Sequence, residues 1–319
     1  MITRYLDPKN DLAFHKIFGS EKYKSIPIDF LNAVFHLTGE DTIIDLEFLN
    51  PKQPPEIAAR KESIVDVLVH DQRGIKYIIE MQVAKVEGFE KRAQYYAAKT
   101  YCAHFGVGHK YHDLKKVIFL AITDYIVFPK KADYKSDHVI LDNKTYENDL
   151  KDFSFTFVEL PKFSKTLDEL QTIEDKWYYF LKHADESSNI AEILAHHPEI
   201  KEAYELLDRY YWNEAELHWY DKNIMNIADE KGIIDAAKNE GRNEGIKEGK
   251  NEGDRSARVE IAKAMIKNGL PMDQITACTN LTLVEIYATP LESPEFPMKL
   301  QETPYMLDLI DGEVWEEVK

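Results

Sequence analysis

The run Ser63-Ile64-Val65-Asp66-Val67-Leu68-Val69, the turn Asp71-Gln72-Arg73-Gly74 and the run Lys76-Tyr77-Ile78-Ile79-Glu80-Met81-Gln82 decide how this chain is read. Both runs are apolar and rich in β-branched residues, and the segment between them carries turn chemistry, so together they predict a β-hairpin. Two acids interrupt otherwise apolar strands, and burying them is costly unless something compensates their charge. If Gln72, Arg73 and Gly74 form a three-residue loop with Gly74 in the left-handed region, Asp66 falls opposite Glu80. Directly opposed residues have Cβ atoms about 4.5–5.5 Å apart, close enough for both carboxylates to hold one hard cation. Gln82, two residues beyond Glu80, projects from the same face. A slip of one residue would instead place the acids on opposite faces. Spacing alone leaves two readings: solvent-facing acids on a half-exposed sheet, or a metal pair with an amide beside it.

Outward from the hairpin, residues 8–19 and 25–37 read as helices, with Leu12, Phe14, Ile17 and Phe18, then Ile28, Phe30, Leu31, Val34 and Phe35, at helical spacing. Residues 42–49 read as a strand and 88–104 as a helix. Lys116-Val117-Ile118-Phe119-Leu120-Ala121-Ile122 reads as a strand buried on both faces, and 138–141 and 153–160 as two more. This order predicts an α/β fold, a restriction-endonuclease-like mixed sheet flanked by helices. From Leu167 onward the pattern is helical, so the C-terminal extension is expected to be all-helical. His196-His197 precedes Pro198 at a helix break. An adjacent pair cannot face one metal from a helix as an i, i+4 pair can, and the pair reads as structural.

Residues 238–253 repeat Glu-Gly every four residues, at Glu240-Gly241, Glu244-Gly245, Glu248-Gly249 and Glu252-Gly253. The glycines fall along one helical stripe. Each costs a helix about 0.8–1.0 kcal/mol relative to Ala, so the segment reads either as a weak linker helix or as one that packs closely against a copy of itself. Val259 to Ile286 then predicts a small helix-turn-helix-like unit. Its first helix stops at Asn268-Gly269, a second starts near Met272, and a short third runs through Val284 and Ile286. Residues 288–319 carry Pro290, Pro294, Pro297 and Pro304 among acids, and are expected to be poorly ordered.

Composition sets bounds. The chain has 319 residues, 44% hydrophobic and 30% charged, which suits one large domain with an appendage. Cys102 and Cys278 have no metal-ligand spacing, and a reduced cytoplasmic setting is expected. Neither a signal core nor a membrane-length apolar run is present, so no membrane partner is expected. A net charge of −17 argues against binding a polyanion, unless cations such as Lys91, Arg92, Lys110, Lys115, Lys116, Lys130 and Lys131 gather locally.

The hairpin resembles the PD-(D/E)XK nuclease-like transposase family, the recombination-promoting nuclease (Rpn) group. Further stretches in matching order are Asp11-Leu12-Ala13-Phe14-His15-Lys16-Ile17-Phe18-Gly19, Phe89 to Tyr101 with Arg92 and Tyr95-Tyr96, and Trp177-Tyr178-Tyr179-Phe180-Leu181-Lys182. The resemblance covers roughly residues 5–185. It implies a Mg²⁺-dependent DNA endonuclease, with Mn²⁺ as a substitute, in which Asp66, Glu80 and Gln82 are catalytic and Asp66 and Glu80 hold the metal. Arg92 is expected to contact phosphate. The superfamily usually carries Lys where Gln82 stands, whereas this group resembles Glu-x-Gln; Gln can neither act as a base nor carry charge. Asp11 reads either as an exposed acid in the first turn of a helix, where it favours the macrodipole, or as an acid that approaches the metal. The implied organisation is a nuclease-like core at 1–185, a helical extension with the Gly/Glu linker at 186–254, a helix-turn-helix-like unit at 255–287 and a tail at 288–319. The rival reading is a degenerate nuclease fold kept as a nucleic-acid-binding module or as an oligomerisation module through its C-terminal helices.

Overall fold

The computed structural model describes residues 3–53, 63–103, 110–186 and 196–287. The expected poorly ordered tail, 288–319, lies outside them. Two compact units divide the chain, Met1–Ala236 and Ala237–Lys319.

The first unit is built on a six-stranded sheet. Its strands are β1 (Leu46–Phe48), β4 (Val67–Asp71), β5 (Lys76–Gln82), β6 (Val117–Thr123), β8 (Phe153–Glu159) and β7 (Lys135–Val139), in that spatial order. A separate two-stranded sheet pairs β2 (Lys52–Gln53) with β3 (Ser63–Ile64). β5, β6 and β8 run parallel, while β1, β4 and β7 are antiparallel to their neighbours, so the sheet is mixed as expected. Every residue of β6 is buried, because parallel strands at the centre of a sheet have both faces covered.

Side-chain alternation divides the interior into two layers. Tyr77, Ile79 and Met81 of β5 join Ile118, Leu120 and Ile122 of β6 in the larger core. That core also takes residues from α1 (Asp11–Phe18), α2 (Ser25–Val34), α4 (Ile173–His183) and α5 (Pro198–Leu207). On the other face, Ile78, Val117, Phe119 and Ala121 pack with Phe89, Ala93 and Ala97 of α3 (Phe89–Cys102). α3 is the crossover between parallel β5 and β6.

The stretches that carry the family resemblance outside the hairpin are largely packing residues. Phe14, Ile17, Phe18, Trp177, Tyr178 and Phe180 are all fully buried in the larger core. Lys16 forms an ion pair with Glu216 at 2.9 Å and lies over the Trp212 ring.

The boundary between the units falls inside α6 (Glu214–Lys267). The second unit continues with α7 (Met272–Thr279) and α8 (Leu283–Tyr287), around a small core of Val259, Ala262, Ile275, Leu281 and Ile286. Gly269, at φ +74°, ends α6 as the Asn268-Gly269 signal predicts. Thr282 and Glu285 form a reciprocal cap at the start of α8, whereas Thr279 bonds back to the Ile275 carbonyl inside α7. Among the described residues no helix is long and apolar enough to cross a membrane.

Candidate functional site

The hairpin turn fixes the geometry. Asp71 and Ile75 close a loop of Gln72, Arg73 and Gly74, with Gly74 at φ +81°, a conformation that costs glycine little. Asp71 is 1% exposed and gathers this turn. Its Oδ1 accepts from the Arg73 and Ile75 amides at 2.9 and 3.0 Å, and its Oδ2 from Arg73 Nε and Nη2 at 2.9 and 2.6 Å. The pairing that follows sets Val67 against Ile79 and His70 against Lys76. One step further along that register, Asp66 stands opposite Glu80.

The first arm is not one continuous strand, as its sequence led us to expect. It breaks into β3 and β4, with a bend at Asp66. Two side-chain bonds replace the ladder there. The Asp66 amide donates to Glu80 Oε2 at 3.2 Å, and the Met81 amide donates to Asp66 Oδ2 at 2.8 Å. Each acid therefore closes the backbone opposite it.

Gln82 joins the pair from the same face. Its Nε2 donates to Glu80 Oε1 at 3.1 Å, and its Oε1 accepts from Arg92 Nη2 at 2.6 Å. Arg92 comes from the first turn of α3, 3.7 Å from Glu80 Oε1, with its guanidinium over the rings of Phe89 and Tyr96. Its Nε is buried without a partner among the described residues. Asp66, Glu80, Gln82 and Arg92 are thus brought together. Lys91, Lys110, Lys115, Lys130 and Lys131 are exposed and solvated.

Burial, above all, pushes the Asp66 carboxyl up to about 7, and the charge of Asp11 adds to it. Burial and then the facing Asp66 push Glu80 up to about 8. The amide bonds and Arg92 oppose these shifts without cancelling them. Asp11 is an exposed acid in the first turn of α1, and its charge reaches both carboxylates.

The donor set suits a hard divalent cation: two desolvated carboxylates, with no nitrogen or sulfur ligand, while Gln82 turns its amino side to Glu80 and its oxygen to Arg92. Desolvation and mutual repulsion leave the acid pair in want of positive charge beyond Arg92.

A second group lies on the other layer of helices. One ligand atom each from Asp29, His197 and Glu199 come within 4.8 Å of one another, so these three residues are a candidate metal-chelating cluster. The sequence carries no signal for it, since Asp29 and His197 are 168 positions apart. The adjacent histidines do not act as a pair; His197 alone joins the cluster.

The model of the PD-(D/E)XK nuclease family transposase matches residues 8–237. Comparison with curated proteins and with solved structures returns no match.

Proposed function

This chain belongs to the PD-(D/E)XK nuclease family transposase group, and we propose that it is a metal-dependent DNA endonuclease acting through Asp66, Glu80 and Gln82. The observation that carries this reading is the acid pair itself. Asp66 and Glu80 face each other across a hairpin, desolvated and raised in pKa, in a family of nucleases.

Asp66 and Glu80 would hold Mg²⁺, with Mn²⁺ as a substitute. Such an ion, when bound, lowers the pKa of water and stabilises charge on a phosphoryl group. Gln82 orients water or phosphate through its amide and takes no proton. Its carbonyl side is held by Arg92 and its amino side by Glu80, so the group is fixed in direction before substrate arrives. Arg92, whose guanidinium lies 3.7 Å from Glu80 Oε1, is the phosphate contact of this reading. DNA is the polyanion that the family implies. Its approach depends on local positive charge, because the chain as a whole is at −17. A reduced cytoplasmic setting and self-association through the C-terminal helices complete the reading. The second would use the exposed glycine face of α6, where an added Cβ meets nothing within 4 Å of the chain itself.

The test is nicking of supercoiled plasmid by the full chain in Mg²⁺ or Mn²⁺, beside Asp66→Asn and Glu80→Gln. Cleavage by the parent, reduced by at least about 100-fold in each variant, is expected, because a metal supplies several kcal/mol to such a step. An inactive parent with both metals would leave a degenerate nuclease fold used for binding.

A further inference from the structure

The helical layer on the sheet face opposite α3 holds ligand-type side chains that the proposed cleavage site does not use. Asp29 lies on α2, His197 is the N-cap residue of α5, and Glu199 stands in the first turn of α5. His197 Nε2 is 2.9 Å from Asp29 Oδ2, and its Nδ1 is 3.5 Å from Glu199 Oε2. Trp177 of α4 donates its Nε1–H to the same Asp29 oxygen at 2.7 Å. The three side chains are only 17–29% exposed.

The contacts of His197 are unequal. A neutral imidazole has one N–H and one lone pair, so it cannot donate to both carboxylates. The Nε2 contact has hydrogen-bond length, and the Nδ1 contact is too long for a good one. If Nε2 carries the only ring proton, the Nδ1 lone pair faces a carboxylate oxygen, which is repulsive unless a second proton or a metal cation lies between them. Two ligands of a tetrahedral zinc ion, each about 2.0–2.1 Å from the metal, lie about 3.4 Å apart. The gap between Nδ1 and Oε2 matches that separation. Asp29, held by Trp177, then fixes the imidazole from behind, as a carboxylate does for a metal-bound histidine.

We propose that Asp29, His197 and Glu199 form a second metal site, for a divalent transition metal of the zinc class. His197 Nδ1 and Glu199 are its protein ligands, and Asp29 is the positioning residue. The site ties α2 to α5, with α4 joined through Trp177. Its imidazole ligand selects against Mg²⁺, whereas the all-oxygen set at Asp66 and Glu80 suits it.

The experiment is calorimetric titration of the chelator-stripped full chain with Zn²⁺ in excess Mg²⁺, alongside thermal melts. The parent is expected to bind one equivalent of Zn²⁺ that Mg²⁺ does not displace, and to melt at a higher temperature when loaded. Glu80→Gln should retain this binding. His197→Gln and Glu199→Gln should each weaken it by at least about 10-fold, and Asp29→Asn by roughly 10–100-fold, as loss of a residue behind the ligand does. Glu199 is on the rim, so its variant keeps the test valid if His197→Gln fails to fold. Three results would overturn the site: no tight Zn²⁺ in the parent, full affinity in the Glu199 variant, or loss confined to Glu80→Gln. The first would leave His197 as an imidazolium bridging two carboxylates. Because the plasmid assay reads Glu80 and the zinc titration reads His197, each reading can fail without the other.

Discussion

Asp66 and Glu80 are bonded to each other's strands: the Asp66 amide reaches Glu80 Oε2 at 3.2 Å, and Asp66 in turn accepts from the Met81 amide. The acids therefore serve the fold and oppose it at once. Their backbone bonds close the bend, while their charges are desolvated and mutually repulsive.

That conflict has a pH signature. With folded pKa values raised to about 7 and about 8, the native pair keeps protons that the unfolded chain releases at lower pH. Stability in the absence of metal must therefore fall as pH rises from the ordinary carboxylate range through about 8, where it levels off. Glu80→Gln removes one charge and relieves the other. The variant should be more stable than the parent at pH 8 by on the order of 2 kcal/mol, with the gap closing as both acids become neutral. Mg²⁺ should raise the melting temperature of the parent at pH 8 and leave that of the variant nearly unchanged. Denaturant titrations across pH, with and without Mg²⁺, decide this. A gap that widens toward acid would refute it.

Arg92 offers a test of the phosphate contact that leaves the acids in place. Its guanidinium lies over Phe89 and Tyr96 and holds Gln82 at 2.6 Å. Arg92→Ala should weaken DNA binding in Ca²⁺ uniformly across sequences and reduce the slope of log affinity against log salt by about 1. Arg92→Lys keeps the charge but loses the planar fork, so it should restore the slope and not the cleavage rate. An unchanged salt slope in Arg92→Ala would place the phosphate contact elsewhere.

Much of the site was legible because the hairpin is local. Gly74, the two apolar arms and the three-residue loop determined the register, and that register brought Asp66 opposite Glu80. The bend at Asp66 was not legible, since Ser63 to Val69 is uniformly strand-like and the break follows from side-chain bonds to β5. The central strand announced itself through an unbroken apolar run, and the glycine stop of α6 through its position. The cluster of Asp29, His197 and Glu199 had no local pattern at all. It exists only because α2, α4 and α5 pack together, which single-residue periodicity cannot encode.

The hairpin turn should be the most sensitive point of the site's scaffold. Asp71 is buried and carries Arg73, two amides and the Tyr77 hydroxyl on its two oxygens. Arg73→Ala would leave that carboxylate buried without its cation, a defect of about 3–5 kcal/mol. Exposed Lys115, which only passes near Gly74, should cost within about 0.5 kcal/mol when changed to Ala. Equilibrium unfolding of the two variants compares them directly, and equal costs would mean that the turn does not depend on the Asp71–Arg73 pair.

The four repeat glycines of α6 separate the two readings of the Glu-Gly repeat. Gly241, Gly245, Gly249 and Gly253 lie within a continuous helix, and a Cβ added at any of them meets nothing within 4 Å in the chain itself. Within one chain, Gly245→Ala with Gly249→Ala should therefore raise helix stability by about 0.8–1.0 kcal/mol per site. Against a second copy the same methyl groups would stand where two backbones approach. We expect the parent to self-associate in sedimentation velocity and the double variant to shift toward monomer while gaining helical ellipticity. Gained helicity with unchanged association would assign the repeat to a linker helix. Loss of both would show that the glycines meet a steric demand in the folded chain.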